Sequence, residues 1–569
     1  MTTDRRSLHS LGSLRRRMQA APLGAAALCG LVLAGLSQGA VLAQAAGRTP
    51  ASSPAVTAPP SGTATPAVPA PAAANAARSR REKAVVSGES HEAALAAGRA
   101  AIAVAPGPAD AWGLTDRDWD WMSADLLVRK VDVGARVAEI EQAAEAGDPR
   151  AQLLLAYWLA TPERLDMPRI TALYDAAGAS DFPRARVGLS WTYFSGFGRP
   201  VDMQQAFDLC AQLLDTTYAR ALSCAAGSYQ TGLGAPRDPH RMMDLLHRAA
   251  SLGAPSAMMD LAWAYADGEL VERNTERASA WIDLAIATGD MDAAAEAAGL
   301  LMFRPGALQD VERGLALVRQ AAEAGSSAGL IQLAVAHRNG LLGDPDTARG
   351  LELLEQASAD GDGYAMFVLG AGYLFGGEGM EEDTEAAQTW LEQAVVFGSN
   401  RARGMLGAVL LRGYEDIEAD PRRAVPMLRA AVEAGDEQAM ISLGVAYEQG
   451  IAGVRADPEQ AVALYRRAHE ADWTTGTFFL ANMAADGAGM NEDPGLARAL
   501  WTEAAEEDHV DAMLALSSAL ASGYGGPVDT REALAWAERA RDTGDTRQRV
   551  AARRLIRAIE ELGVRDGST

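Results

Sequence analysis

Aromatic residues make up only 6% of this 569-residue chain, and histidine occurs only seven times. Hydrophobic residues nevertheless reach 49%, alanine is abundant, and glycine occurs 56 times. Small residues of this kind suit closely packed helices better than a β-sheet, which favours β-branched and aromatic side chains. We therefore expect an all-α protein.

Basic residues are also in deficit, because 51 lysines and arginines face 75 aspartates and glutamates. The net charge is −24 and the isoelectric point is near 4.8. Nucleic-acid binding needs a Lys/Arg surface that neutralises phosphates, and docking on anionic lipid has a similar requirement. The composition therefore excludes nucleic acid as an expected partner. It leaves the membrane as a partner only through an N-terminal segment.

Motifs for catalysis and for metal or cofactor binding are scarce. The chain has no Gly-x-x-x-x-Gly-Lys-Ser/Thr phosphate loop. Residues 325–329, GSSAG, match the Gly-x-Ser-x-Gly pattern of hydrolases, but that chemistry needs a strand–turn–helix elbow, and these residues fall between two predicted helices. His240 and His247 stand seven positions apart, too far to chelate one ion without further ligands. We predict no enzyme activity, no cofactor and no metal site.

The N-terminus has the pattern of a targeting segment. Five arginines within residues 5–17 precede an uncharged run over residues 18–47, and small residues follow at Ala43 and Ala45. This order predicts a signal peptide over residues 1–45 and a periplasmic or secreted protein. The alternative is an uncleaved anchor in the inner membrane, with the rest of the chain facing the periplasm, because the run is long enough to span a bilayer.

The remainder divides by composition and period. Residues 46–82 are rich in Ala, Pro, Thr and Ser and predict a disordered linker, because such a segment buries too little to offset its ordering entropy. Residues 83–148 predict a helical lead-in. A repeat region is expected over 149–545, and residues 546–569 predict a C-terminal capping helix and tail.

Three columns of residues recur every 36 or 37 positions across the repeat region. A glycine closes each alanine-rich run, at Gly253, Gly289, Gly325, Gly361, Gly398 and Gly435. The glycine of a Tyr-x-x-Gly pattern has the same period, with one double step. An Asp or Asn column runs unbroken from Asp202 to Asp529. Three landmarks with one period predict a repeat array.

Each column has a local physical reason. The Asp column predicts helix N-caps, whose carboxylates accept a hydrogen bond from a first-turn amide, and proline often follows at the first helical position. Glycine after the alanine-rich run predicts the left-handed residue that ends a helix. The unit is thus helix–loop–helix–turn. The predicted structural N-caps include Asp202, Asp238, Asp420, Asp457 and Asp493.

Segments such as AMMDLAWAYADG and AMISLGVAYEQGIAG, each followed by an Asp-led alanine-rich helix, resemble Sel1-like repeats, which are related to tetratricopeptide repeats. The resemblance implies a right-handed α-solenoid of about eleven helix-turn-helix repeats. It also implies a non-catalytic interaction scaffold in the cell envelope, which binds proteins or peptides on its concave surface. A narrower implication is an assembly factor for exopolysaccharide export of the alginate type.

First helices line the concave surface in this class, so one column of non-landmark residues is a candidate partner-binding set. It comprises Asp260, Glu296, Gln332, Met405, Ser442 and Phe479. A carbohydrate-binding groove is a further alternative, with polysaccharide as the partner, and it would be favoured by exposed tryptophans on first helices such as Trp191 and Trp263.

Two cysteines, Cys210 and Cys224, remain after the predicted signal peptide. They flank a predicted helix–helix connection at equal distances, so an antiparallel hairpin would bring them to the same level. In an oxidising compartment this predicts a disulfide, and the alternative is two buried free thiols.

Overall fold

A computed structural model describes residue 84 and residues 86–268, 270–376, 380–451 and 453–566. These ranges contain 27 helices and no β-strand, which confirms the all-α prediction. None of the helices in them combines the length and the apolar character that crossing a bilayer requires. The predicted signal peptide or anchor over 1–45 and the predicted linker over 46–82 lie outside the described residues.

Four helices precede the repeats: α1 (Gly88–Ala103), α2 (Asp116–Trp121), α3 (Ala124–Val131) and α4 (Val137–Glu145). Side-chain caps set the starts of the first two. Ser87 caps α1, and Thr115 forms a capping box with Asp118 at the start of α2. Residues of this lead-in pack on the repeats, as described below.

Eleven antiparallel helix pairs follow, and each pair has a first and a second helix. The first helices are α5 (Pro149–Leu159), α7 (Pro183–Ser195), α9 (Ala219–Thr231), α11 (Pro255–Asp267), α13 (Met291–Phe303), α15 (Ser327–Arg338), α17 (Gly363–Phe375), α19 (Asn400–Arg412), α21 (Glu437–Gln449), α23 (Thr474–Asp486) and α25 (Val510–Ser522).

The second helices are α6 (Met167–Gly178), α8 (Met203–Ala211), α10 (Pro239–Ser251), α12 (Thr275–Ala287), α14 (Val311–Glu323), α16 (Thr347–Ala359), α18 (Thr384–Val396), α20 (Pro421–Glu433), α22 (Pro458–Glu470), α24 (Pro494–Glu506) and α26 (Thr530–Thr543). Helix α27 (Thr546–Asp566) closes the array and packs on α26 and α25. Consecutive helices contact each other throughout, which confirms the predicted α-solenoid.

The Asp column caps the second helices. The carboxylates of Asp202, Asp238, Asp420, Asp457 and Asp493 each accept a hydrogen bond from the backbone N–H three residues later, at 2.9–3.2 Å. Each contact satisfies one amide that the helix itself leaves unpaired. Pro239, Pro421, Pro458 and Pro494 occupy the first helical position after the cap.

Removing one such cap has a small, local effect. Asp457→Ala leaves the Gln460 amide without its 3.1 Å partner, so we expect the free energy of unfolding to fall by about 1 kcal/mol in urea denaturation. Asp457→Asn keeps an oxygen at the same place and should retain most of that stability. Equal losses in both variants would show that the cap is not the cause.

Small residues allow the two helices of a pair to approach closely. A Cβ on Gly444 of α21 would lie 2.5 Å from Cε1 of Tyr465 on α22, so only glycine fits beneath that ring. Ala461 and Ala468 of α22 are fully buried. Neighbouring pairs continue this packing, since an isolated pair has too little apolar surface to bury.

The solenoid winds tightly enough for successive turns to touch. The Nδ2 atom of Asn400 donates to the carbonyl of Phe194 at 3.1 Å, and Arg403 donates to the carbonyl of Ser195 at 3.2 Å. The rings of Phe197 and Phe397 lie 6.3 Å apart. These partners are separated by about 200 residues, since the two hydrogen bonds span 206 and 208 positions. The start of first helix α19, in the second turn, therefore contacts the end of first helix α7, in the first turn.

The lead-in packs along one edge of the first turn, where first helices begin. Arg184 of α7 donates to the carbonyl of Trp119 at 2.8 Å, and Arg220 of α9 donates to that of Asp120 at 2.7 Å. Further along, Asp125 accepts from the backbone N–H of Ser327 at 3.3 Å, and Arg129 pairs with Asp360. The starts of first helices from α7 to α15, and the loop before α17, thus meet one short segment, residues 119–129.

Cys210 of α8 and Cys224 of α9 form a disulfide, with their Cα atoms 6.1 Å apart. The bond joins the second helix of one pair to the first helix of the next. Closing a loop of this length stabilises a fold by about 3 kcal/mol in the loop-entropy model.

Candidate functional site

The first three residues of the predicted partner-binding column are accessible to solvent. Asp260 of α11 and Glu296 of α13 are exposed, and Gln332 of α15 is half-buried. A Cβ on Gly299 of α13 would lie 3.2 Å from Nε2 of Gln332, which shows how closely α13 and α15 pack side by side. The three side chains therefore form a continuous strip across three successive first helices.

The other three residues of the column are more deeply set. Met405, Ser442 and Phe479 are only 6%, 7% and 8% exposed. The ring of Phe479 stacks on that of Tyr465 with centroids 5.0 Å apart, so it packs on the neighbouring helix pair. Little of these side chains is left for a partner, and binding by the six residues stays a prediction.

Four acidic side chains gather at this strip; we call Asp260, Asp290, Asp292 and Glu296 the acidic face. Although Glu296 contacts solvent, the surrounding protein excludes much of its water. This desolvation, together with the charges of Asp260, Asp292 and Asp290, raises the pKa of Glu296 to about 8. Burial likewise raises the pKa of Asp260 and of Asp290 to about 6.

The acidic face borders the lead-in segment. The hydroxyl of Ser326 donates to Asp292 at 2.5 Å, and the nearby charge of Asp125 adds to burial in raising the pKa of Asp292. Asp290 also caps α13 by accepting from the N–H of Ala293 at 2.8 Å. Asp290 and Asp292 were not among the residues predicted from the sequence. The available signal was the spacing of Asp292 and Glu296, four positions apart on one helix face.

The raised pKa of Glu296 gives a pH-dependent stability. Folding disfavours its charged form, so the contribution of Glu296 to stability falls as the pH rises from the usual value near 4.5 to about 8. We expect Glu296→Gln to remove this loss and to raise the free energy of unfolding at pH 8.5 by about 1 kcal/mol, a small gain because solvent screens an exposed carboxylate.

Denaturant unfolding between pH 4.5 and 8.5 measures this effect. Glu312→Gln, at an exposed position of α14, is the matched control and should leave the pH profile unchanged. A parallel shift of Glu296→Gln at every pH would contradict the electrostatic cause.

Residues 325–329, which match the hydrolase pattern, lie between two helices, as the repeat period predicts. Gly325 and Ser326 form the turn before α15, and Ser327 begins that helix. The Ser327 hydroxyl lies 3.4 Å from the carboxylate of Asp125, in a helix–turn–helix context rather than a strand–turn–helix elbow. In the described ranges, no three His, Cys, Asp or Glu side chains are grouped as metal ligands.

Several solved structures are similar to this chain. A protective antigen of uropathogenic Escherichia coli with an SLR fold is 22% identical, over 74% of this chain and 94% of its own, with a TM-score of 0.39. A Sel1 repeat protein from Oxalobacter formigenes is 24% identical, over 40% and 88%, with a TM-score of 0.35. An immunity protein from Pseudomonas aeruginosa is 19% identical, over 39% and 83%, with a TM-score of 0.33. No curated protein sequence matches this chain.

The Sel1 repeat family model matches ten segments: residues 183–212, 222–253, 255–290, 292–326, 327–362, 363–395, 401–436, 437–472, 476–509 and 510–545. Each segment coincides closely with one of the helix pairs from α7/α8 to α25/α26. The pair α5/α6 precedes them with the same architecture but outside the matched segments. With most of its repeat region matched and folded as stacked helix pairs, this chain belongs to the Sel1 repeat family.

Proposed function

We propose that this protein is a non-catalytic scaffold of the cell envelope that binds other proteins on its concave face. Sel1 repeat proteins in general mediate protein–protein interactions. The observation that carries the proposal here is the accessible strip formed by Asp260, Glu296 and Gln332 on three successive first helices.

The strip favours a basic, extended peptide segment as the bound part of a partner. Neighbouring helices pack about 8–10 Å apart, and an extended chain advances about 3.3 Å per residue, so every third residue of the peptide would meet the next helix. Lysine or arginine at those positions would restore the charged form of Glu296. The partner would thus recover the free energy that desolvation costs the acidic face.

Affinity capture from envelope extracts tests the proposal, with the full chain as bait. Asp260→Asn/Glu296→Gln should lose the captured proteins, whereas Glu276→Gln/Glu312→Gln, which removes two exposed charges from second helices, should retain them. Identical captured proteins with both baits would overturn the concave-face proposal. Loss with both would show that net charge alone drives capture.

The envelope location rests on the N-terminal sequence, and a role in exopolysaccharide export rests on the family resemblance. Captured proteins supply the test of both. Recovery of a defined polysaccharide-export complex would support the narrower role, and recovery of only cytoplasmic proteins would overturn the location.

A carbohydrate-binding groove is a second candidate because two aromatic side chains are unusually open. Trp191 and Phe194 of α7 are 43% and 47% exposed. Exposed aromatic faces suit stacking against sugar rings. Alginate oligosaccharides that quench tryptophan fluorescence in the wild-type protein but not in Trp191→Ala would support this candidate. Unchanged fluorescence would exclude it for that saccharide.

A further inference from the structure

The lead-in helix α1 lies in a groove between two second helices, α10 and α12. The ring of His91 packs edge-on against those of Tyr265 and Trp281, with centroids 5.5 Å from each. Burial, aided by the charge of Arg277, lowers the pKa of His91 to about 4, so the helix docks with a neutral ring. A Cβ on Gly98 would lie 2.8 Å from the carbonyl oxygen of Ala250, so the helix seats closely.

The docked face of α1 is a stripe of mainly small residues. His91, Ala94, Leu95 and Gly98 are buried, at the i, i+3, i+4, i+7 spacing of one helix face. Ala93 and Ala97 face solvent. The groove between neighbouring second helices therefore accepts an α-helix whose contact face is narrow and mainly small.

A groove of the same construction lies five repeats further along, between α20 and α22. Its volume is about 1480 Å³. Its lining residues occupy the repeat positions that contact α1 in the α10/α12 groove. The equivalent residues, with the α20/α22 groove first, are Arg429 and His247, Val432 and Ala250, Tyr447 and Tyr265, Leu464 and Trp281, and Arg467 and Leu284. The described residues place no helix of this chain in it.

The two grooves differ in charge. Arg422, Arg429, Arg455 and Arg467 line the α20/α22 groove. Arg467 lies 3.9 Å from Glu433, whereas the first three form no ion pair within the described part of the chain. Three acidic residues also line this groove: Asp457 caps α22, Glu433 lies near Arg467, and Glu459 is exposed. The arginines therefore outnumber the carboxylates by four to three. Exposed arginines without an acidic partner stand out in a chain whose net charge is −24.

We propose that the α20/α22 groove is a docking site for an amphipathic α-helix of a partner protein, with a small-residue stripe flanked by acidic side chains. Val432, Leu443 and Leu464 form an apolar floor for the stripe, and all three are buried. The partner residue in the place of His91 faces Arg429, which donates to the hydroxyl of Tyr447 at 2.9 Å. A glutamate there would accept a charge-assisted hydrogen bond.

A designed probe tests the proposal on the full chain. The probe is a synthetic peptide of residues 86–104 carrying His91→Glu and Arg99→Glu, stapled between positions 93 and 97, which face solvent in α1. The staple removes the cost of forming a short helix in water. Fluorescence anisotropy should show saturable binding to the wild-type protein, and a probe with lysine at positions 91 and 99 should bind at least tenfold more weakly.

Matched charge variants locate the bound probe. Arg422→Glu/Arg455→Glu should weaken binding at least tenfold. Arg466→Glu/Arg557→Glu changes the net charge equally at exposed positions outside the groove and should leave the affinity within twofold. Circular dichroism should show the same melting temperature for both variants.

Two results would overturn the proposal. The first is that the probe does not bind, or that it binds equally well to both double variants. Equal binding would place the probe elsewhere, for example in the α10/α12 groove. The second is a concentration-dependent dimer that the probe dissolves in sedimentation velocity, because the occupant would then be α1 of a second copy. The groove lies on second helices, so either result leaves the concave-face proposal to be decided by its own experiment.

Discussion

Arg184→Met/Arg220→Met should lower the free energy of unfolding by about 4 kcal/mol and release residues 119–122 from the repeats. The two guanidinium groups donate to the carbonyls of Trp119, Asp120, Trp121 and Met122 at 2.7–3.1 Å. Methionine keeps the apolar stem but leaves these carbonyls without donors, and each buried unpaired carbonyl costs about 1–3 kcal/mol.

Hydrogen exchange and urea denaturation measure the two parts of this prediction. Amides within residues 119–131 should lose protection, while those of α24 to α26, at the far end of the array, should not. Burial lowers the pKa of Arg220 only to about 10, so the wild-type group is charged at neutral pH and Arg220→Lys tests its geometry. One ammonium cannot reproduce the planar fork, so an intermediate loss is expected. Full protection in the double variant would show that other contacts hold the lead-in.

Trp281→Ala should cost about 4 kcal/mol, the usual range for deleting a large buried aromatic side chain. Trp281 is fully buried in α12 and contacts both His91 of α1 and His247 of α10. The cavity therefore opens where three helices meet. Because repeat arrays are stabilised by nearest neighbours, the loss should be felt first as release of α1.

Calorimetry and hydrogen exchange over residues 88–103 check this result. Trp191→Ala is the control, because a half-exposed tryptophan leaves no sealed cavity, and it should cost about 1 kcal/mol or less. Equal destabilisation by the two variants would contradict the assigned role of Trp281. Loss of stability without loss of α1 protection would separate the core of α12 from the docking of the lead-in.

The repeat architecture could be predicted because its determinants are local and recur. A cap such as Asp457 and a helix-ending glycine such as Gly435 act within a few residues, so their spacing alone gives the helix pairs. The docking of residues 119–129 could not be predicted in this way. Arg184 and Arg220 have ordinary positions in their helices, and the carbonyls that they bind carry no side-chain signal.

The candidate site could likewise be predicted only in part from the sequence. The column position of Asp260, Glu296 and Gln332 follows from helical phase, and all three side chains are at least partly accessible to solvent. Helical phase does not predict how deeply a side chain is buried, because burial depends on the side chains that pack against it. Phe479, for example, is buried because the ring of Tyr465 lies against it. The α20/α22 groove escaped prediction because its four arginines come from two helices and a loop.

Contact between residues 119–129 and the loop before α17 has a consequence for the order of events during synthesis. Arg129 reaches its partner Asp360 across 231 positions of chain. Domains generally begin to fold from the N-terminus while the ribosome is still elongating them. Trp119 can bind Arg184 once the second helix pair has emerged, whereas Arg129 waits for Asp360 until six pairs have emerged. The lead-in is therefore completed in steps while the rest of the chain is being synthesised.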